Sequence, residues 1–89
     1  NVEENAGMER LRNVPKVVGL KQSRKAILGG RAAQAFYAQD ADAYLLDSFL
    51  ELCRAHNVPA VAVPAMKELA RACHVEVPTA FAVLLRVQQ

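Results

Sequence analysis

Eighty-nine residues are enough for one domain with a single core, and an apolar fraction of 53% excludes a disordered chain. The sequence has no run of 18 or more apolar residues, so it predicts no membrane-spanning helix and no membrane partner. The net charge of +2 conceals a local asymmetry. Residues 10–31 contain seven basic and no acidic side chains, whereas residues 32–89 contain four basic and six acidic ones. This concentration of positive charge indicates an anionic partner.

The predicted elements alternate between strands and helices with short connections. In chain order they are a helical arm at 1–13, a strand at 17–19, a helix at 20–28, a strand at 35–38, a helix at 43–56, a strand at 60–63, a helix at 64–73, a loop at 75–78 and a strand at 80–87. Alternation of this kind is typical of an α/β fold, in which a central sheet carries helices on its faces. The apolar strands fit a sheet that is covered on both sides.

The helix at 43–56 has the clearest pattern. Its apolar residues recur at spacings of three and four and predict a core face made of Leu45, Leu46, Phe49, Leu50 and Cys53. Asp42 is predicted to cap its N-terminus, and Asn57 to end it. Gly29 and Gly30 end the preceding helix. His74 stands where the last helix must end, and we expect it to adopt the left-handed conformation that glycine usually fills.

We predict a single domain at residues 14–89, preceded by the arm at 1–13. With Met8 as the natural start, residues 1–7 are an upstream extension or a remnant of cloning. The two cysteines lie in predicted helices, whereas a secreted domain held by disulfides carries more of them, in loops. Reduced thiols in a cytoplasmic protein are the simpler explanation.

The helix at 20–28 is the main candidate for binding chemistry. Lys21, Arg24 and Lys25 stand at i, i+3 and i+4, so they share one face. The helix dipole disfavours basic residues in the first turn, and an RNA phosphate or an acceptor-rich base edge would offset this. Guanine offers two acceptors on its major-groove edge that match lysine or arginine. The same face also fits an ordinary solvated surface, and charge alone leaves both interpretations open.

Two histidine–cysteine pairs could be taken for a zinc site. Cys53 and His56 are three residues apart, and Cys73 is followed by His74. The two cysteines lie on separate helices and neither belongs to a CxxC pair, so small core residues are the preferred interpretation.

Asp40 and Asp42 could be taken for a catalytic carboxylate pair. They follow a strand and precede a helix, where capping residues belong, and no nucleophile or histidine partner is recognisable nearby. The sequence therefore predicts no enzyme, no metal site and no cofactor.

Several stretches, taken together, resemble one family. They are residues 18–27 (VGLKQSRKAI), 37–42 (YAQDAD), 57–59 (NVP), 64–73 (PAMKELARAC) and 75–78 (VEVP). In this order they are similar to the kink-turn-binding ribosomal proteins, the superfamily of large-subunit proteins seven-Ae and thirty-e, from about Pro15 to Leu85. The pair Lys21–Gln22 resembles the bacterial branch, because archaeal and eukaryotic members typically have Asn-Glu there.

The resemblance implies a three-layer α/β/α sandwich with a four-stranded mixed sheet. It also implies binding to an RNA that bends sharply beside tandem sheared G·A pairs. Lys21, Gln22 and Lys25 match positions that contact guanine edges, and Gly19 and Arg31 match positions close to the RNA backbone. A pocket for an extruded nucleotide would be formed by Asp42, Leu46, Met66, Val77 and Ala80.

With the basic helix and the loop at 75–78 included, a set of RNA-binding residues is predicted. They are Gly19, Lys21, Gln22, Arg24, Lys25, Arg31, Asp42, Leu46, Met66, Val75, Glu76, Val77 and Pro78. The sequence departs from the family pattern at two places. His74 replaces the usual glycine, and Met66 replaces a lysine that is common in the archaeal and eukaryotic branch.

Two functions compete at this point. The first is a cytoplasmic, monomeric protein that recognises kink-turn RNA, either ribosomal RNA or a structured mRNA leader. The second is a protein-interaction module of the same fold that binds no RNA. The first predicts salt-sensitive binding to a kink-turn RNA, and the second predicts none.

Overall fold

The computed structural model describes residues 14–86, so the predicted arm at 1–13 and the last three residues lie outside it. Seven elements alternate along the described residues. They are β1 (Lys16–Val18), α1 (Leu20–Leu28), β2 (Ala32–Ala38), α2 (Ala43–Ala55), β3 (Ala60–Val63), α3 (Met66–Cys73) and β4 (Phe81–Leu85). The strands form one sheet in the order β1-β4-β2-β3. β4 is antiparallel to β1 and β2, and β2 is parallel to β3, which confirms the expected mixed sheet.

The helices cover both faces of this sheet. Successive side chains of a strand point to opposite faces, and β4 is buried on both. Phe81 and Val83 pack with α1 and α2, whereas Ala82 and Leu84 pack with α3. On the first face the rings of Phe49 and Phe81 lie with their centroids 4.2 Å apart. The structure thus has the three layers that the resemblance implied.

The core face of α2 is narrower than its sequence pattern indicates. Phe49 and Cys53 are buried, but Leu45, which was expected beside them, is 37% exposed. The first turn of α2 is exposed apart from the half-buried Leu46. This turn extends beyond the packed layer, so a periodic apolar pattern there does not bring burial.

Several predicted boundaries move by a few residues. The last helix begins at Met66 and not at Pro64, because Ala65 has extended backbone angles (φ −147°, ψ 152°). β2 begins at Ala32, where an irregularity in its pairing with β4 adds residues before the regular register. β1 ends one residue before Gly19, which leaves the strand to start α1. No helix within residues 14–86 is long and apolar enough to cross a membrane.

Candidate nucleic-acid interface

The outer face of α1 is exposed and basic. Ser23, Ala26 and Ile27 form its buried side. The polar residues on the other side of the helix are exposed. We call them the basic face, and they are Lys21, Gln22, Arg24 and Lys25. The first turn contains no acidic residue, and within residues 14–86 none of these cations forms an ion pair. The positive charge of this face is therefore uncompensated by the protein itself.

Gly19 sets the direction in which α1 leaves the sheet. Its backbone (φ 97°, ψ 159°) lies in a region that L side chains rarely adopt. Its N–H donates to the carbonyl of Phe81 at 2.8 Å, and its own carbonyl accepts from the N–H of Ser23 at 2.9 Å. A Cβ at this position would meet no atom within 4 Å, so the backbone angle, and not space inside the protein, requires glycine.

The loop at 75–78 exposes apolar surface next to this point. Val77 is 73% exposed and Pro78 is exposed as well. The loop ends at Thr79, whose hydroxyl donates to the carbonyl of Phe81 at 3.2 Å. The Phe81 carbonyl thus accepts hydrogen bonds from both Gly19 and Thr79, which fixes the end of the loop beside the start of α1.

His74 begins this loop in the left-handed conformation, with φ 59° and ψ 39°. The prediction that His74 adopts the left-handed conformation is confirmed. The following N–H, that of Val75, donates to the carbonyl of Ala70 at 3.0 Å and closes the helix end. The loop therefore leaves α3 as it would after a glycine, at a cost in backbone strain.

Asp40 and Asp42 are both helix caps. The Asp42 carboxylate accepts from the N–H of Leu45 at 3.1 Å and caps α2. The Asp40 carboxylate accepts from the N–H of Met66 at 2.9 Å and caps α3, the next helix along the chain. The capping interpretation of this pair is confirmed. The sequence did not reveal that Asp40 caps a helix 26 residues away, because no local pattern pairs an acid with a distant N-terminus.

The residues expected around an extruded nucleotide lie at this same end of the sheet. Leu46 donates its N–H to the carbonyl of Asp42 at 2.9 Å, so both belong to the first turn of α2. The Met66 carbonyl accepts from the N–H of Thr79 at 3.4 Å, and the Ala80 carbonyl accepts from the N–H of Ala38 at 2.9 Å. These bonds bring the starts of α2, α3 and β4 together, with the exposed Val77 in the adjoining loop.

The three helices all begin at this end of the sheet. α1 follows the end of β1, α2 follows the end of β2, and α3 follows the end of β3. Their positive dipole ends therefore point to one edge. Asp42 and Asp40 cap two of them, whereas α1 begins with neither a side-chain cap nor an acid. Of the three helix N-termini, that of α1 is therefore the most favourable for an anion.

Arg31 lies apart from this edge. It follows the C-terminus of α1, where its N–H donates to the carbonyl of Ala26 at 3.0 Å. α1 has nine residues and is thus about 13 Å long, so Arg31 and Gly19 stand near opposite ends of the helix. An RNA that contacts both Gly19 and Arg31 would therefore extend along the whole of α1.

The cysteines do not form a metal site. Cys53 packs in the core between the sheet and α1 and α2, and Cys73 packs in the core under α3, on the opposite face. Both are free thiols. Burial raises the pKa of Cys53 to about 11. Burial also raises the pKa of Cys73, and the nearby charge of Lys16 partly offsets that rise. Two protonated thiols separated by the sheet are core residues, as the sequence indicated.

Comparisons with known proteins identify sequences that are similar to this chain. The model of the ribosomal protein L7Ae/L30e/S12e/Gadd45 family matches residues 8–89. An RNA-binding protein of Geobacillus sp. strain WCH70 is 37% identical over 70 residues, which cover 79% of this chain and 85% of that protein. The RNA-binding protein YbxF of Geobacillus stearothermophilus is 34% identical over 70 residues, with the same shares of the two chains.

A solved structure supports the fold independently. The 15.5 kD RNA-binding protein of Giardia lamblia superposes with a TM-score of 0.87 over 98% of this chain and 77% of that one. The sequence identity is 22%, so this likeness shows the shared fold.

Proposed function

Because the chain belongs to the ribosomal protein L7Ae/L30e/S12e/Gadd45 family, we propose that it binds RNA and that its target is a kink-turn. The observation that carries the proposal is the basic face of α1. It is exposed, it contains no acid, and it begins at a helix N-terminus that no side chain of residues 14–86 caps. An RNA groove supplies the phosphates and base-edge acceptors that this face lacks within the protein.

Family membership confirms the recognition made from the sequence motifs. The family and its relatives are named as ribosomal and RNA-binding proteins, which also confirms the prediction that this chain is not an enzyme. The choice of a kink-turn as the specific RNA target goes beyond family membership. It is supported by individual residues on α1 and in the loop at 75–78 that match the family pattern.

In this proposal α1 lies in the groove beside the sheared G·A pairs. Lys21 and Lys25 are one turn apart on the exposed side of the helix, so both reach the same groove. Their ammonium groups donate to guanine O6 and N7, the two acceptors on that edge. Gln22 donates and accepts through one amide, which suits a sheared pair that presents both kinds of group. Arg24 and Arg31 neutralise phosphates, and Gly19 leaves room for the RNA backbone.

The loop at 75–78 contacts the bend itself. Val77 carries its apolar surface in solvent, and an extruded base would cover it. Leu46 and Met66, both half-buried, provide further apolar surface at this edge, and Asp42 provides a carboxylate. Recognition then combines phosphate attraction, base-edge contacts and the shape of the bent RNA. A monomer suffices, since every contact in this account comes from one chain.

The test is a gel-shift titration with a kink-turn RNA and the same RNA carrying disrupted G·A pairs. The proposal expects tight binding to the first and binding to the second that is as weak as to a straight duplex. Log K should also fall linearly with log salt, with a slope of roughly −0.7 to −0.9 for each phosphate neutralised. Equal affinity for both RNAs contradicts kink-turn recognition, and no binding to either favours a protein-interaction module.

A further inference from the structure

A groove runs along the outer side of α3, separate from the basic face of α1. It has a cavity volume of about 490 Å³ and is lined by Lys67, Ala70, Arg71, Val75, Glu76 and Pro78. We call it the α3 groove. It contains none of the α1 residues and none of the residues expected around the extruded nucleotide. It shares only the loop at 75–78 with the proposed RNA interface, and Lys67 directly follows Met66.

Two cations without an ion-pair partner in residues 14–86 line the α3 groove. Lys67 and Arg71 are at i and i+4, so they are neighbours on the helix surface, where like charges repel. Both are exposed, and neither forms an ion pair with any residue between 14 and 86. Lys67 lies in the first turn of α3, where Glu68 and the capping carboxylate of Asp40 already offset the positive end of the helix dipole. A phosphate placed between Lys67 and Arg71 would relieve the repulsion between them.

The other lining residues include apolar ones. Val75 and Pro78 are exposed apolar residues, and Ala70 is small and buried. Small apolar side chains and an arginine plane suit the flat face of an unpaired nucleobase. The cations fit a phosphate and the apolar residues fit a base. A nucleotide has both groups, and neither feature of the groove alone would specify it.

Glu76 adds a preference among the bases. It is the one acid among the residues that line the groove. A carboxylate accepts hydrogen bonds and donates none, and it repels phosphate. The base therefore lies toward Glu76 and the phosphate toward Lys67 and Arg71. Guanine is the base whose Watson–Crick edge presents two adjacent donors, N1–H and the exocyclic amine, so it matches this carboxylate best.

We propose that the α3 groove is a second nucleotide-binding subsite, which takes an unpaired guanine nucleotide of the RNA. This inference rests on the proposed RNA-binding function for its biological occupant, because the groove adjoins the proposed interface at the loop. An acidic peptide fits less well, since Glu76 would repel it.

The experiment is an NMR titration of the ¹⁵N-labelled full chain with 5′-guanosine monophosphate at millimolar concentrations. CMP and inorganic phosphate serve as the comparison ligands. We expect GMP to shift the amide signals of residues 67–78 in a saturable way, with CMP binding more weakly and phosphate more weakly still. Shifts confined to α1, or no shifts, overturn the proposal. Equal affinity for GMP and CMP overturns the guanine preference.

Three variants sharpen the result. Arg71→Ala should weaken GMP binding by roughly tenfold, as the loss of one charge-assisted hydrogen bond does. Glu76→Gln should remove most of the preference for GMP over CMP. The matched control is Arg54→Ala, an exposed arginine near the C-terminus of α2, where it forms an ion pair with Glu51. Equal losses for Arg71→Ala and Arg54→Ala would overturn the assignment to this groove.

The kink-turn gel shift, run beside this titration, separates the two proposals. GMP shifts in the α3 groove without kink-turn binding would leave the subsite in place and reject the proposed function. Kink-turn binding without GMP shifts would reject the subsite alone. An acidic peptide that shifts residues 67–78 where GMP does not would assign the groove to a protein partner and overturn the proposal.

Discussion

Asp40 and Met66 are joined by a hydrogen bond of 2.9 Å, from the backbone N–H of Met66 to the Asp40 carboxylate. The bond ties the loop after β2 to the first turn of α3. Because the Met66 carbonyl also accepts from the N–H of Thr79, the same residue connects two of the segments that form the candidate interface. One side chain thus helps to hold together an edge to which three helices contribute.

We expect Asp40→Ala to lower the free energy of unfolding by about 1 kcal/mol, the usual cost of a lost helix cap. Urea denaturation followed by circular dichroism measures it. Asp40→Asn, which keeps an acceptor oxygen, should lose less. Asp42→Ala removes the cap of α2 instead and should cost a similar amount. An unchanged unfolding free energy in Asp40→Ala would show that the bond contributes nothing.

Lys25→Ala should weaken binding to kink-turn RNA by about 1–3 kcal/mol, as the loss of a specific base-edge contact does. Gln22→Ala should cost about 1 kcal/mol, because its hydrogen bonds involve no charge on the protein. Binding to straight duplex should change little in either variant. Arg54→Ala, on α2, is the control and should weaken both RNAs slightly and equally. If Lys25→Ala weakens both RNAs equally, the residue acts only as a point charge and α1 does not read the kink-turn.

Val77→Asp should weaken kink-turn binding by at least about 1 kcal/mol, the scale that marks an important interface contact. The midpoint of thermal unfolding should not change, since the side chain is 73% exposed and leaves no cavity. Filter binding and differential scanning calorimetry measure the two effects. Ala55→Asp adds the same charge at an exposed position at the other end of α2 and should affect binding much less. A loss of stability in Val77→Asp would indicate a role in packing instead.

His74→Gly should stabilise the protein by about 1 kcal/mol. His74 has φ 59°, in the left-handed region that costs L residues roughly 1–2 kcal/mol, and glycine relieves this cost while losing more entropy on folding. Asn57, at φ 57°, has the same geometry at the end of α2, but the short polar side chain of asparagine can hydrogen-bond locally and lowers the cost. Asn57→Gly should therefore gain less. Equal stability changes in the two variants, by chemical denaturation, would argue against strain at His74.

Ser23→Ala should also stabilise the protein, by about 1 kcal/mol. Ser23 is fully buried in α1, and its hydroxyl has no hydrogen-bond partner among residues 14–86. Alanine removes the cost of burying that group and has a higher helix propensity. Ser48→Ala, at an exposed position of α2, gains the propensity alone and should therefore gain less. A destabilised Ser23→Ala would mean that the hydroxyl contributes a favourable interaction.

Local sequence signals determined much of this protein. The sequence predicted the bounds of α1 to the residue, and the two glycines after Leu28 mark its end. Asp42 as a cap and His74 in a left-handed turn were also predictable, because each depends on backbone geometry within a few residues. The stretch at 10–31, which contains no acidic residue, also identified α1 as the candidate binding helix, because the charge of a segment depends only on its composition.

Only the tertiary structure decided which of these features lie together. Asp40 caps α3 through a contact between residues 26 positions apart, and the Phe81 carbonyl joins Gly19 to Thr79 across the sheet. Leu45 has the periodicity of a core residue, yet the limited extent of the packed layer leaves it exposed. Strand order places the starts of all three helices at one edge, and no local pattern encodes strand order. The sequence alone therefore predicted which side chains the candidate interface would use, whereas their arrangement in space depends on long-range contacts.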